Sequence, residues 1–187
     1  MGQKMNIVFL DVDGVLNCDS TTNRVQGFIG VDPKKVELLK QIVDATNAEI
    51  VLTSTWKMDF YEDAPRYPKI KNYLVKKLKD QGLSISGLTV DNWSNRGFGI
   101  IRYIQDHPCD GYVVLDDEFF TDYKQCGIVP HWVHTSFAYG LLPKHVEIAI
   151  RKMSLPVVIP DGWDAHVNMP LEELIEYDRG KHDEDEI

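Results

Sequence analysis

The sequence predicts an α/β fold: a mostly parallel β-sheet with helices packed on its faces. Short runs that are apolar almost throughout, "NIVFLD" (6–11), "AEIVLTS" (48–54) and "GYVVLDD" (111–117), alternate with longer segments of helical apolar spacing. Strands that are apolar on both faces belong to sheets covered on both sides. The polar groups "DVDG", "TST" and "DDE" fall at the carboxyl ends of those runs, where open parallel sheets bind their ligands.

Each element has its own signal. Residues 6–11 are rich in branched side chains and read as the first strand. In "DPKKVELLKQIVDATN" (32–47), apolar Val36, Leu38, Leu39, Ile42 and Val43 recur at helical spacing behind an Asp32 cap, with Pro33 in the first turn. A buried strand follows at 48–54, then a helix over about 66–81 stopped by Gly82. "SGLTV" (86–90) is a weaker strand, and "GFGIIRYIQDH" (97–107) is a helix ended by Pro108. The strand at 111–117, a short strand "HWVHT" (131–135) and a proline-initiated helix "PKHVEIAIRKMS" (143–154) complete the pattern. Residues 1–154 are expected to form one domain. Residues 155–187, with an edge strand at Val157–Ile159 and a short helix near 170–177, read as an appendage packed on it.

Composition narrows the function classes. No apolar run approaches the roughly 18–20 residues of a membrane span, and no apolar leader precedes the first strand, which predicts a cytoplasmic protein. Cys18, Cys109 and Cys126 stand at no disulfide or zinc spacing. A net charge of −9 argues against sequence-independent nucleic-acid binding, which needs a basic surface. The lysine-rich stretch 65–82 leaves room for a local basic groove, but reads more simply as the solvated face of an amphipathic helix.

The chemistry lies in the carboxylates. Asp11 and Asp13 are two residues apart at a strand end, so both side chains can share one side of the departing chain. Each raises the other's proton affinity unless a cation compensates. Asp116 and Asp117 end a second strand; if the two strands are neighbours, up to four carboxylates meet at one rim. Such a group of oxygen ligands, with no His or Cys companion, suits Mg²⁺.

"FLDVDGVLN" resembles the first motif of the haloacid dehalogenase (HAD) superfamily of Mg²⁺-dependent phosphohydrolases. The resemblance implies a Rossmann-like parallel sheet sandwiched by helices. It implies that Asp11 is the nucleophile that forms an aspartyl-phosphate. Asp13 would be the general acid and base, with its backbone carbonyl on the metal. Ser54 or Thr53, in "IVLTST", would bind the phosphate. Arg96, or less favourably Arg102, would be the cation of the third motif, and Asp117 and Asp116 in "LDDE" would complete the Mg²⁺ shell.

HAD enzymes select substrates with cap insertions, and here little room is left for one. Residues 18–30 read as a short loop, and 55–95 hold one helix, one strand and the aromatic loop "WKMDFYEDAP", so the enzyme is expected to be nearly capless. More locally, "IVLTSTWK", "GYVVLDDE" and "VHTSFAYGLL" resemble a small HAD group found as phosphatase modules of RNA-repair proteins, over roughly residues 5–153. Trp56, Thr135, Gly140 and Leu141 recur in that group, with no role that the residues themselves reveal. The implied substrate is a nucleotide or a nucleic-acid terminal phosphate. A phosphoprotein substrate, or a non-catalytic HAD-like binding protein, are the alternatives; retention of both Asp11 and Asp13 speaks against the last.

Overall fold

The computed structural model describes residues 5–60, 68–91 and 95–161. Five parallel strands form one sheet in the order β5-β4-β1-β6-β7, with β1 at Asn6–Leu10, β4 at Ala48–Leu52, β5 at Ile85–Leu88, β6 at Gly111–Asp116 and β7 at Trp132–His134. The chain winds outward from β1 through β4 to β5, then crosses to the other side of β1 for β6 and β7. Strand order therefore reverses between β1 and β6, which is where a crevice opens beyond the strand ends.

The pleat sends alternate residues of β1 into two apolar layers. Val8 and Leu10 join α1 (Pro33–Thr46), α2 (Pro68–Lys79) and α4 (Pro143–Lys152) on one face, through Leu39, Ile42, Leu74, Leu78, Val146 and Ala149. Ile7 and Phe9 meet α3 (Arg96–Asp106) and residues 120–128 on the other. There Phe9 packs edge-on against Tyr103 and Tyr112, with ring centroids 5.8 and 5.9 Å away. Truncating one such buried side chain to Ala costs about 2–5 kcal/mol, so both layers hold the sheet rigidly.

The helix signals act as the sequence suggests. Asp32 caps α1 by accepting the Lys34 N–H at 2.9 Å, and Asn47 ends it in the left-handed region at φ 50°. In α2, Ile70, Leu74 and Leu78 are buried at four-residue spacing while Lys69, Lys76 and Lys79 are exposed. The lysines of this stretch thus form a solvated face, and Lys76 pairs with Asp80 at 3.0 Å. Among the described residues, no helix is long and apolar enough to cross a membrane.

Several boundaries and one loop depart from expectation. β4 ends at Leu52 and β6 at Asp116, so Ser54 and Asp117 leave the sheet. Residues Thr55–Phe60 form a 3₁₀ helix where a loop was expected. The segment after β1 is not a plain loop: β2 (Arg24–Val25) and β3 (Phe28–Ile29) pair antiparallel across Gln26 and Gly27, both at positive φ (48° and 90°). Two positive-φ residues make the turn that matches hairpin twist, but strands of two residues leave no alternation to read. Val157–Ile159 form no strand; Val157 and Ile159 instead pack on the second apolar layer. The expected helix near 170–177 lies outside the described residues.

Candidate active site

Strand register builds the site. Leu10 is aligned with Leu52 on one side and Leu115 on the other, so the next residues, Asp11, Thr53 and Asp116, form a polar row capping an apolar one. The parallel ladder continues through that row: Asp11 N–H donates to Leu115 O at 3.0 Å, Thr53 N–H to Leu10 O at 2.9 Å and Thr135 N–H to Asp116 O at 3.1 Å. Asp11 and Asp116 are mounted on the two strands that flank the switch in strand order.

One carboxylate oxygen from each of Asp11, Asp116 and Asp117 lies within 4.8 Å of the other two. Arg96, at the start of α3, enters this group. Its Nη1 stands 2.6 Å from Asp116 Oδ2 and 3.3 Å from Asp11 Oδ1, and its guanidinium lies 4.3 Å from the centre of the Phe120 ring. Asp116 accepts two further donors: Tyr123 O–H at 3.0 Å joins Arg96 on Oδ2, and Glu118 N–H reaches Oδ1 at 3.0 Å. Asp117, half-buried, lies against the Cα of Gly14, where an added Cβ would come within 2.3 Å of its carboxylate. Gly14 is also at φ 69°, so only glycine suits this position twice over.

The electrostatics are unbalanced. Burial pushes the Asp11 carboxyl up to about 7; Arg96 opposes the rise, Asp116 adds to it, and the Ser54 hydroxyl facing Asp11 opposes it. Asp117 is likewise raised, by burial and then by Asp116. Burial works against the charge of Arg96, yet Asp11 and Asp116 hold it above its usual value, so it stays protonated. One cation thus faces three carboxylates, and hard oxygen donors converging in this way fit a divalent ion such as Mg²⁺.

Asp13 is not the fourth member of that group. Its Oδ1 accepts Asn17 Nδ2–H at 2.6 Å, and its Oδ2 accepts Trp56 Nε1–H at 2.9 Å. Asn17 in turn accepts the Gly14 N–H at 3.0 Å, which closes the loop after β1 on itself. Thr53 and Ser54 also part company. Both are wholly buried, but the Thr53 hydroxyl lies 3.1 Å from that of Thr89, whose own proton goes to Asp91, while Ser54 faces Asp11. Arg102 is buried farther along α3, and the guanidinium that touches Asp11 and Asp116 is that of Arg96.

Matched to a family model, the chain fits the one described as "HAD domain in Swiss Army Knife RNA repair proteins" over residues 7–146. It belongs to this HAD family. No curated protein matches the chain. The match spans all five parallel strands of the sheet.

The segment after β7 clamps the loop after β1. Thr135 O–H donates to Gly14 O at 2.7 Å, and Leu141 N–H donates to Val15 O at 2.9 Å. Gly140 lies where a Cβ would stand 2.7 Å from Asn17 O. Beside Arg96, a cavity of about 160 Å³ is lined by Thr55, Lys57, Met58, Asp91, Glu118 and Phe120. Lys57 and Asp91 form a buried ion pair there at 2.7 Å, and Asp91 also accepts the Thr89 hydroxyl at 2.9 Å. Sequence reasoning missed Asn17, Lys57, Asp91 and Tyr123; Asn17 alone had a local signal, as the last residue of "DVDGVLN".

Proposed function

We propose that this HAD domain is a Mg²⁺-dependent phosphomonoesterase that acts through an aspartyl-phosphate on Asp11, on the terminal phosphate of a nucleotide or nucleic acid. The observation that carries the reading is the convergence of Asp11, Asp116 and Asp117 on one point, with Arg96 between the first two. Phosphoryl transfer needs in-line positioning and neutralisation of oxygen charge, and these groups supply both.

In the first step an Asp11 carboxylate oxygen attacks phosphorus, and the bond from phosphorus to the leaving oxygen breaks. Asp13 gives that oxygen its proton. In the second step Asp13 takes a proton from water, which attacks the phosphoryl-Asp11; phosphate leaves and Asp11 is regenerated. Ser54 donates its hydroxyl to a phosphoryl oxygen, and Arg96 screens the approach of the phosphate to Asp11. Asp11, Asp117 and Asp116, with the carbonyl of Asp13, would hold Mg²⁺. When bound, the ion neutralises phosphoryl charge and keeps Asp11 ionised at neutral pH.

The catalytic core runs over 1–154, with 155–187 appended, and works in the cytoplasm. The nucleic-acid preference is supported by the family's description as a domain of RNA-repair proteins. It is also supported by the small size of the β2–β3 hairpin after β1, which has two residues in each strand.

The test is hydrolysis of an aryl phosphate with and without Mg²⁺, followed by a panel of nucleoside monophosphates, 3′- and 5′-phosphorylated oligonucleotides and phosphopeptides. Activity with Mg²⁺, loss with chelator and a folded but inactive Asp11→Asn are expected. Turnover by Asp11→Asn would overturn the covalent route, and preference for phosphopeptides would overturn the substrate.

A further inference from the structure

Trp56 occupies an unusual position for a core aromatic. Its ring is 7% exposed and packs with the layer of α1, α2 and α4, yet its one polar atom points at the rim of the sheet. There Nε1–H donates to Asp13 Oδ2 at 2.9 Å. The mount is stiff, because Trp56 is the second residue of the 3₁₀ turn Thr55–Phe60, and its own N–H reaches Ser54 Oγ at 3.4 Å. A single residue therefore links the hydroxyl after β4 to the second carboxylate after β1. Asn17 holds the other Asp13 oxygen at 2.6 Å, so the carboxylate plane is fixed from two sides.

We infer that Trp56 is a positioning residue for proton transfer: its indole N–H aims Asp13 at the leaving-group oxygen. The inference rests on the role of Asp13 proposed above. Without the indole N–H, the carboxylate keeps one anchor, Asn17, and can swing about it toward the Asp11, Asp116 and Asp117 group. Each carboxylate oxygen has a second lone pair, so a donor on Oδ2 orients the group without occupying the site of the transferred proton. Misplacement of a reacting group lowers the rate even where the chemistry is intact.

The consequence depends on the leaving group. A nitrophenolate departs without a proton, whereas an alkoxide does not, so faulty aim of the general acid is felt only on the second. The experiment compares wild type with Trp56→Phe in the presence of Mg²⁺. It uses kcat/KM, which reports the step in which the leaving group departs, on phosphate monoesters graded from nitrophenyl to alkyl. Trp56→Phe should lose about tenfold or more on the alkyl ester and less than about threefold on the nitrophenyl ester. Replacing Trp56 by 3-benzothienylalanine, which keeps the fused rings and removes only the N–H, should reproduce that split even if Phe packs too poorly to fold. An equal loss on all esters, or none, in the benzothienyl protein overturns the inference and leaves the phosphatase reading intact. A wild type that hydrolyses none of the esters overturns the phosphatase reading itself.

Discussion

Arg96 Nη1 lies 2.6 Å from Asp116 Oδ2, and the two side chains are 9% and 0% exposed. Removing one partner of a buried pair leaves an uncompensated charge and costs about 3–5 kcal/mol. Here the loss would strand two carboxylates, because Asp11 shares the same guanidinium at 3.3 Å. Arg96→Met should therefore destabilise the metal-free protein by about 3–5 kcal/mol in urea unfolding. A cation at the carboxylate group replaces part of the lost charge, so the deficit should shrink with saturating Mg²⁺. Near-wild-type stability without metal would show that Asp11 and Asp116 do not share a net negative charge.

Ser54 and Thr53 are buried neighbours whose hydroxyls have different partners, and their variants should separate accordingly. Ser54→Ala removes a hydroxyl that faces Asp11 and leaves the ladder untouched. It should lower kcat/KM on an aryl phosphate by about 10²-fold, the typical effect of losing one preorganised donor, with little change in stability. Thr53→Val removes the hydroxyl that bonds to Thr89 in a wholly buried position. It should cost about 1–3 kcal/mol of stability and spare most of the activity. Unfolding curves and steady-state kinetics on both variants check the assignment; the reverse pattern would make Thr53 the phosphate ligand.

The contrast between these two residues marks where sequence reasoning stops. The apolar runs of β1, β4 and β6 are legible because a strand buried on both faces has no polar alternation. Their polar tips are legible because carboxylates and hydroxyls end those runs. The HAD resemblance points to Arg96 as a cation near Asp11, but its bond to Asp116 has no signal in the sequence. Which strand-end hydroxyl faces the site has none either, because it depends on where the ladder releases the chain, and that varies by one residue. The bonds from Trp56 to Asp13 and from Thr135 to Gly14 span 43 and 121 residues. No local pattern encodes contacts of that range. The aside of Asp13 from the metal-type group has the same origin: the partner that turns it away comes from β4's loop.

Gly14 carries two constraints that one substitution tests together. Its φ of 69° costs an L-residue about 1–2 kcal/mol, and an added methyl would meet the Asp117 carboxylate at 2.3 Å. Asp117 must move, so Gly14→Ala should weaken Mg²⁺ binding by about tenfold or more, as loss of support around metal ligands does. Calorimetric titration of Mg²⁺ into both proteins measures this directly. Unchanged affinity would mean that Asp117 does not contribute to the ion.

Two buried histidines make the fold sensitive to acid, independently of the carboxylates. His131 is 3% exposed, stacks on Tyr112 with ring centroids 3.9 Å apart, and places Nδ1 3.0 Å from Tyr112 O. His145 uses Nδ1 to accept the Leu142 N–H at 3.1 Å, which caps α4; protonation would turn that acceptor into a donor. Burial holds both imidazoles below their ordinary value of 6.5, with Lys152 adding to the effect on His131 and Lys144 on His145. Just below that value the unfolded chain binds more protons than the folded one, so stability rises with pH there. The histidine contribution is complete above 6.5 and is lost as pH falls from 6.5 through the lower folded values. Asp11, held up to about 7, takes up its proton in the folded protein over the same range and adds stability as pH falls. The histidine loss is therefore read as the difference between the wild type and a variant without the two imidazoles, in urea unfolding from neutral pH to about one unit below 6.5. The double variant His131→Gln, His145→Gln should be less stable at neutral pH but lose less on acidification. An equal slope in the two proteins would assign the acid sensitivity to other groups.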